Sequence, residues 1–111
     1  MMRPKTLTLT ANGTSQAVPL DYYANGVAIG VVVSGTGTAT YTVQHTFADI
    51  GNINVNNTNV TWLNNDDSAL VNGTSTQDGN YEFIPRASRI VLSNVSAATV
   101  KFTLIHKGGM E

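Results

Sequence analysis

Cysteine is missing from the whole chain, which excludes a disulfide framework and thiolate metal ligands and leaves the redox compartment open. Charge is scarce as well. Charged side chains make up 12% of the residues and the net charge is −1, against a usual charged share of ~25% in soluble domains. Nucleic-acid binding needs a basic patch or stripe. The six cations here, Arg3, Lys5, Arg86, Arg89, Lys101 and Lys107, are scattered, so that class is excluded. Long apolar runs are also lacking. The longest, Val27 to Val33 with Gly30 inside it, is far short of the ~20 residues of a membrane helix. Met1-Met2-Arg3-Pro4-Lys5 leads straight into Thr-Leu alternation and not into the apolar stretch of a secretory signal. The expectation is a chain made and folded in a cytoplasm, in which its Asn-x-Ser/Thr triplets carry little weight.

What the chain has in abundance is 15 Thr, 12 Val and 12 Asn in 111 residues. Thr and Val are β-branched and fit a pleated, half-buried surface, while Asn and Gly supply turns. A surface covered by neutral Thr, Asn, Ser and Gln repels itself weakly. That suits a protein embedded in an assembly, and equally a mild secreted or virion-type composition. The length predicts one domain over residues 1–111, with an N-terminal arm at 1–5 and a flexible tail at 107–111.

The clearest periodicity is Ala39-Thr40-Tyr41-Thr42-Val43-Gln44-His45-Thr46-Phe47. Its odd positions are mostly apolar and its even positions polar, the signature of a strand with one buried and one wet face. Lys5 to Ala11 alternates likewise, with Leu7, Leu9 and Ala11 inward, and Asn12-Gly13 ends it. Ser15 to Leu20 reads as a short strand, where Pro19 demands an edge or a strand end. Val27 to Val33 has little polar alternation, so both of its faces are expected to be covered, either within a sandwich or by another subunit; Gly30 suggests a closely approaching backbone. Ser34-Gly35-Thr36-Gly37 reads as a short hairpin loop into the Ala39–Phe47 strand.

Beyond it, residues 48–59 read as a long Asn-rich loop anchored by Ile53 and Val55. Trp62 is expected to cap the core, Asn64-Asn65-Asp66-Asp67 to turn, and residues 72–80 to form a polar loop. Tyr81-Glu82-Phe83-Ile84 precedes a strand from Arg89 to Val95. Ala97-Ala98 then turns the chain into a final strand, Thr99 to His106, with Val100, Phe102 and Leu104 inward. Seven or eight short strands without a helix predict an all-β antiparallel sandwich or barrel.

No chemical constellation stands out. His45 and His106 are distant in sequence and have no carboxylate or thiolate beside them, so strand-end roles are the default. Asp66-Asp67 and Asp78-Gly79-Asn80 lack the alternating carboxylates of a calcium loop. No Gly-x-Ser-x-Gly elbow is present, and Glu82 is the only internal Glu. Neither an enzyme nor a bound cofactor or metal is expected. Arg86 and Arg89 bracket a strand start and suit either an inter-subunit contact or an internal pair with Asp21, Asp78 or Glu82. Tyr22 and Tyr23 are adjacent, so they point to opposite faces of a strand.

Several segments carry a resemblance. Val18-Pro19-Leu20-Asp21-Tyr22-Tyr23, Thr38-Ala39-Thr40-Tyr41-Thr42-Val43-Gln44-His45-Thr46 and Pro85-Arg86-Ala87-Ser88-Arg89-Ile90 follow one another in an order that resembles small virion structural proteins of tailed bacteriophages, of the head decoration or cement type. The tail His106-Lys107-Gly108-Gly109 is more polar than in that pattern. The resemblance implies a jelly-roll-like sandwich present in many copies on the phage head. Its partners would be the major capsid protein and copies of itself, as a closed homotrimer, with no membrane partner. Arg3, Lys5, Val27, Ile29, Val31, Arg86 and Arg89 are the candidate assembly contacts. The alternative is a tail- or fibre-associated domain binding carbohydrate or the host surface, with Tyr22 and Tyr23 stacking on sugar.

Overall fold

The computed structural model describes residues 5–20, 26–47, 61–81 and 85–107, with His106 and Lys107 described by their backbone alone. The fold is all-β, with one antiparallel sheet of seven strands. The strands are β1 (Lys5–Leu9), β2 (Gly13–Thr14), β3 (Val18–Pro19), β4 (Gly26–Thr46), β5 (Leu63–Asn64), β6 (Gln77–Tyr81) and β7 (Ala87–Lys107), with a 3₁₀ turn at Ser68–Leu70. No helix among the described residues is long and apolar enough to cross a membrane.

Two 21-residue strands, β4 and β7, pair along their whole length, from Gly26 opposite Lys107 to Thr46 opposite Ala87. On one side of this ribbon the N-terminal segment lies along β7 in three pieces: β1 on residues 100–104, β2 on 91–92, β3 on 87–88. On the other side β6 pairs with residues 27–31 of β4 and β5 with residues 44–45. Pro19, which cannot donate to a ladder, sits on the outer N-terminal edge, as its chemistry requires.

Straight strands of this length would span about 70 Å at ~3.3 Å per residue, yet the longest dimension of the protein is 40 Å. The ribbon therefore bends, and the bend lies in its middle. Register shifts fall between Gly35 and Thr38 and between Thr38 and Thr40. The first puts the extra residue in β4 and the second puts it in β7, so the original register returns. A lone one-residue slip would exchange the faces of everything beyond it. Because the two shifts cancel, the same alternate residues point inward on both sides: Val27, Ile29 and Val31 before the bend, Ala39, Tyr41 and Val43 after it. Ile90, Leu92, Val100, Phe102 and Leu104 of β7 join them, with Leu70 and Tyr81, in one buried cluster. Each Val, Leu, Ile or Phe so buried contributes about 1.5–3 kcal/mol before entropy is counted.

The expected hairpin at residues 34–37 is thus corrected: the Val27–Val33 and Ala39–Phe47 segments are two halves of β4 and do not pair with each other. The turn expected at Ala97-Ala98 is likewise a bend within β7. Gly and Ser serve bulges as well as reversals, and here the backbones approach too closely for a side chain. A Cβ on Gly37 would run into the Ser96 carbonyl. Gly35 has φ 106° and Ala97 φ 52°, the latter a left-handed conformation that costs a non-glycine residue about 1–2 kcal/mol. Gly30, by contrast, has no atom within 4 Å of where its Cβ would stand, so the expected close approach there is absent.

Other differences are local. Residues 72–80, read as loop, contain most of β6, whose pairing with the apolar half of β4 overrides its polar composition. Phe47 lies one residue past the last paired position and is 56% exposed; beyond the ladder, strand parity no longer constrains it. β1 already begins at Lys5 and β7 continues through Lys107, which shortens the expected arm and tail. Ile53, Val55 and Phe83 lie outside the described residues.

Gly37→Ala is expected to lower unfolding stability in urea by more than about 2 kcal/mol, because backbone must move, whereas Gly30→Ala shifts it by no more than about 1 kcal/mol. Equal effects from the two would contradict the bend geometry.

Candidate functional site

Two places in the fold gather polar or exposed groups that a plain core does not need. The first is the end of the core where β4, β6 and β7 meet. Ser88 lies opposite His45 across the ribbon, and both are buried. The Ser88 hydroxyl donates to the Gln44 carbonyl at 2.9 Å. A hydroxyl has one proton, so the Tyr81 hydroxyl, 3.2 Å from Ser88 Oγ, is the donor in that pair. Burial raises the Tyr81 pKa, the Ser88 and Asn65 side chains oppose that shift, and Asp66 adds to it. Asn65 is itself fixed, its Oδ1 accepting from the Asp67 backbone at 2.8 Å. Asp67 in turn caps the 3₁₀ turn through Ala69 N. The chain of donation ends on a backbone carbonyl, so Ser88 is committed to the ladder and is not poised as a nucleophile.

His45 packs edge-on against Tyr81 and Phe47, with ring centroids 5.3 and 5.5 Å away. Burial lowers its pKa, and Asp66 partly offsets this. Among the described residues no three His, Asp or Glu side chains converge as metal ligands would.

Arg89 lies on the surface of this same end. Its Nε donates to Gln44 Oε1 at 2.9 Å and its guanidinium sits 4.1 Å from the centroid of the Trp62 ring, a cation–π geometry. Gln44 Nε2 donates onward to Asn64 Oδ1. Arg89 therefore does have an internal role, through an amide and an indole. Trp62, expected over the core, is half-buried and covers Arg89 instead. Arg86 is half-buried, its backbone N–H donating to the Thr46 carbonyl.

The second place is the outer face of the other half of the ribbon. Ala28, Gly30 and Val32 of β4 stand opposite Ile105, Thr103 and Lys101 of β7, flanked by Thr6 and Thr8 of β1 and by Asp78 and Asn80 of β6. A wet face of this kind should be polar throughout. Yet Val32 is 45% and Ile105 42% exposed, with only small Ala28 and Gly30 between them along β4. A shallow depression of about 330 Å³ opens beside Gly30 and Val32, bounded by Thr76 and Asp78.

This placement corrects three of the proposed contacts. Val27, Ile29 and Val31 are 0–2% exposed and have no side-chain surface left for a neighbour, because their odd positions face the core. The outward positions of the same strand are Ala28 and Val32, half-buried and exposed respectively. Lys5 is exposed at the start of β1. Arg3, Tyr22, Tyr23, Asp21 and Glu82 lie outside the described residues. Sequence reading missed Val32 and Ile105 as a pair. The available signal was parity, since Ile105 shares its outward phase with Lys101 and Thr103.

No protein-family model matches the chain, and no curated protein or solved structure matches it either.

Ser88→Ala removes the Ser88 hydrogen bonds to the buried Tyr81 hydroxyl and to the Gln44 carbonyl and is expected to cost about 1–3 kcal/mol in chemical denaturation. A neutral result would show that the network carries no stability. The lowered His45 pKa makes the unfolded chain the better proton acceptor below its ordinary value of about 6.5. His45 thus adds stability that is complete above that pH and is lost as pH falls through its lower folded-state value. His45→Gln should flatten the decline of Tm just below pH 6.5; an unchanged profile would remove His45 from the account.

Proposed function

We propose that this chain is a structural protein of a phage virion, a decoration or cement module that binds the lattice of a major capsid protein and reinforces the head, and that it works by contact and not by catalysis. The observation that carries the reading is the outer face bearing Val32 and Ile105. Apolar side chains on the wet side of a sheet, set among neutral Thr and Asn with Lys101 and Asp78 as the charges beside them, make a surface able to lose water against a partner. Burial contributes about 25 cal/mol per Å² before the costs of association, and the few charges nearby keep desolvation inexpensive. The sparse charge of the whole chain and the resemblance of its residue order to head decoration proteins support the same reading.

The test uses undecorated phage capsids. The double variant Val32→Asp, Ile105→Asp alters only exposed positions, so each change should shift folding stability by no more than about 0.5 kcal/mol. Co-sedimentation with capsids is expected to weaken at least tenfold, about 1.4 kcal/mol. Unchanged co-sedimentation would move the contact elsewhere, and a wild-type chain that never sediments with capsids would end the proposal.

A further inference from the structure

The two ends of the folded ribbon treat their sheet edges differently. Around residues 38–46 and 87–96 the flanking strands are two residues each, and one contains Pro19. Short strands and proline are common devices for stopping a sheet from recruiting another chain. Around residues 27–33 and 100–104 neither device is used. There β1 and β6 are each five residues long, contain no proline, and keep an uninterrupted register. Among the described residues β1 pairs only with β7 and β6 only with β4.

These two edges match each other. They lie at the same height of the ribbon: Thr6, Thr103, Gly30 and Asp78 form one row across four strands, and Leu7, Phe102, Val31 and Gln77 the next. Every pairing in this half is antiparallel, so β1 and β6 run in opposite directions. A rotation axis along the strands brings β6 of one copy beside β1 of the next with the antiparallel alternation unbroken, and it brings every copy's edges together in the same way. The charges agree. On the outer face exposed Asp78 lies on β6 itself, and exposed Lys101 lies on β7 beside Thr8 of β1.

We infer that copies of this chain join edge to edge, β6 of one on β1 of the next, in a closed ring whose sheet is continuous across each junction. The inference rests on the assembly reading above and deepens it by naming a second copy as the partner of these two edges. The ring leaves the Val32–Ile105 face of every copy on one continuous surface.

The absence of cysteine makes the test direct. Thr6 and Asp78 are exposed and three strand spacings apart within one chain, about 14 Å at ~4.8 Å each, beyond the ~7 Å that a disulfide spans. Oxidised Thr6→Cys/Asp78→Cys protein is expected to give a ladder of covalent multimers ending at one size, equal to the mass found by light scattering for the unmodified protein. A second variant, Thr6→Cys/Asn80→Cys, covers a stagger of two residues, and a ladder from either double variant supports the junction. Single-cysteine variants should stay uncrosslinked. Ready dimers from Thr6→Cys alone would mean that β1 meets β1, which overturns the inference. Monomeric unmodified protein with no ladder from either double variant overturns it as well. No capsid takes part in these measurements, so their failure is separate from a failure to bind one.

Discussion

The structure depends on the full-length pairing of β4 with β7. Two strands of 21 residues cannot lie straight in a body 40 Å long. Once their ladder is complete, the only way to hide one face is to bring the two halves of that face together. Everything else is placed by this bend. The N-terminal segment has a single long strand to follow and follows it in three pieces. β5 and β6 find the opposite side of the ribbon, and Leu70 reaches the core from the connection between them. The bend is costly, with Ala97 held in a left-handed conformation, and the apolar cluster formed across it offsets that cost.

Much of this was legible, and the reasons are physical. Period-2 alternation is a direct imprint of burial on one face, so the inward sets Tyr41, Val43, His45 and Val100, Phe102, Leu104 could be read from residue order alone. The connection at residues 34–37 could not. Gly, Ser and Thr are what both a reversal and a bulge require, and what decides between them is the partner strand sixty residues away. β6 was hidden for a related reason. Gln-Asp-Gly-Asn has no strand preference of its own, and Gly79 matters because a side chain there would meet Leu70, a tertiary contact. Val27–Val33 was read as covered on both faces. Its odd positions are covered by the fold, while Val32 is left to solvent or to a neighbour.

The buried polar network and the outer face make different contributions. The donation from Tyr81 through Ser88 to Gln44 is spent inside the ladder and specifies how β6 sits on the ribbon. The stack of Arg89 on Trp62 ties the connection before β5 to β7 in the same way. The outer face, by contrast, holds groups that nothing described in the chain satisfies: two exposed aliphatic side chains and two regular edges. A strand-only building block whose unsatisfied surface lies outward is the common ground of the two proposals, one for the face and one for the edges.

The central claim is that β4 and β7 pair without interruption through the bend. Cross-strand Hα–Hα and amide NOEs in solution test it most directly. The account predicts contacts of residues 26–34 with 99–107 and of residues 38–46 with 87–96, including Val31 with Phe102 and Tyr41 with Leu92. Contacts between the Val27–Val33 and Ala39–Phe47 segments, in the register of a hairpin closed at residues 34–37, would contradict it.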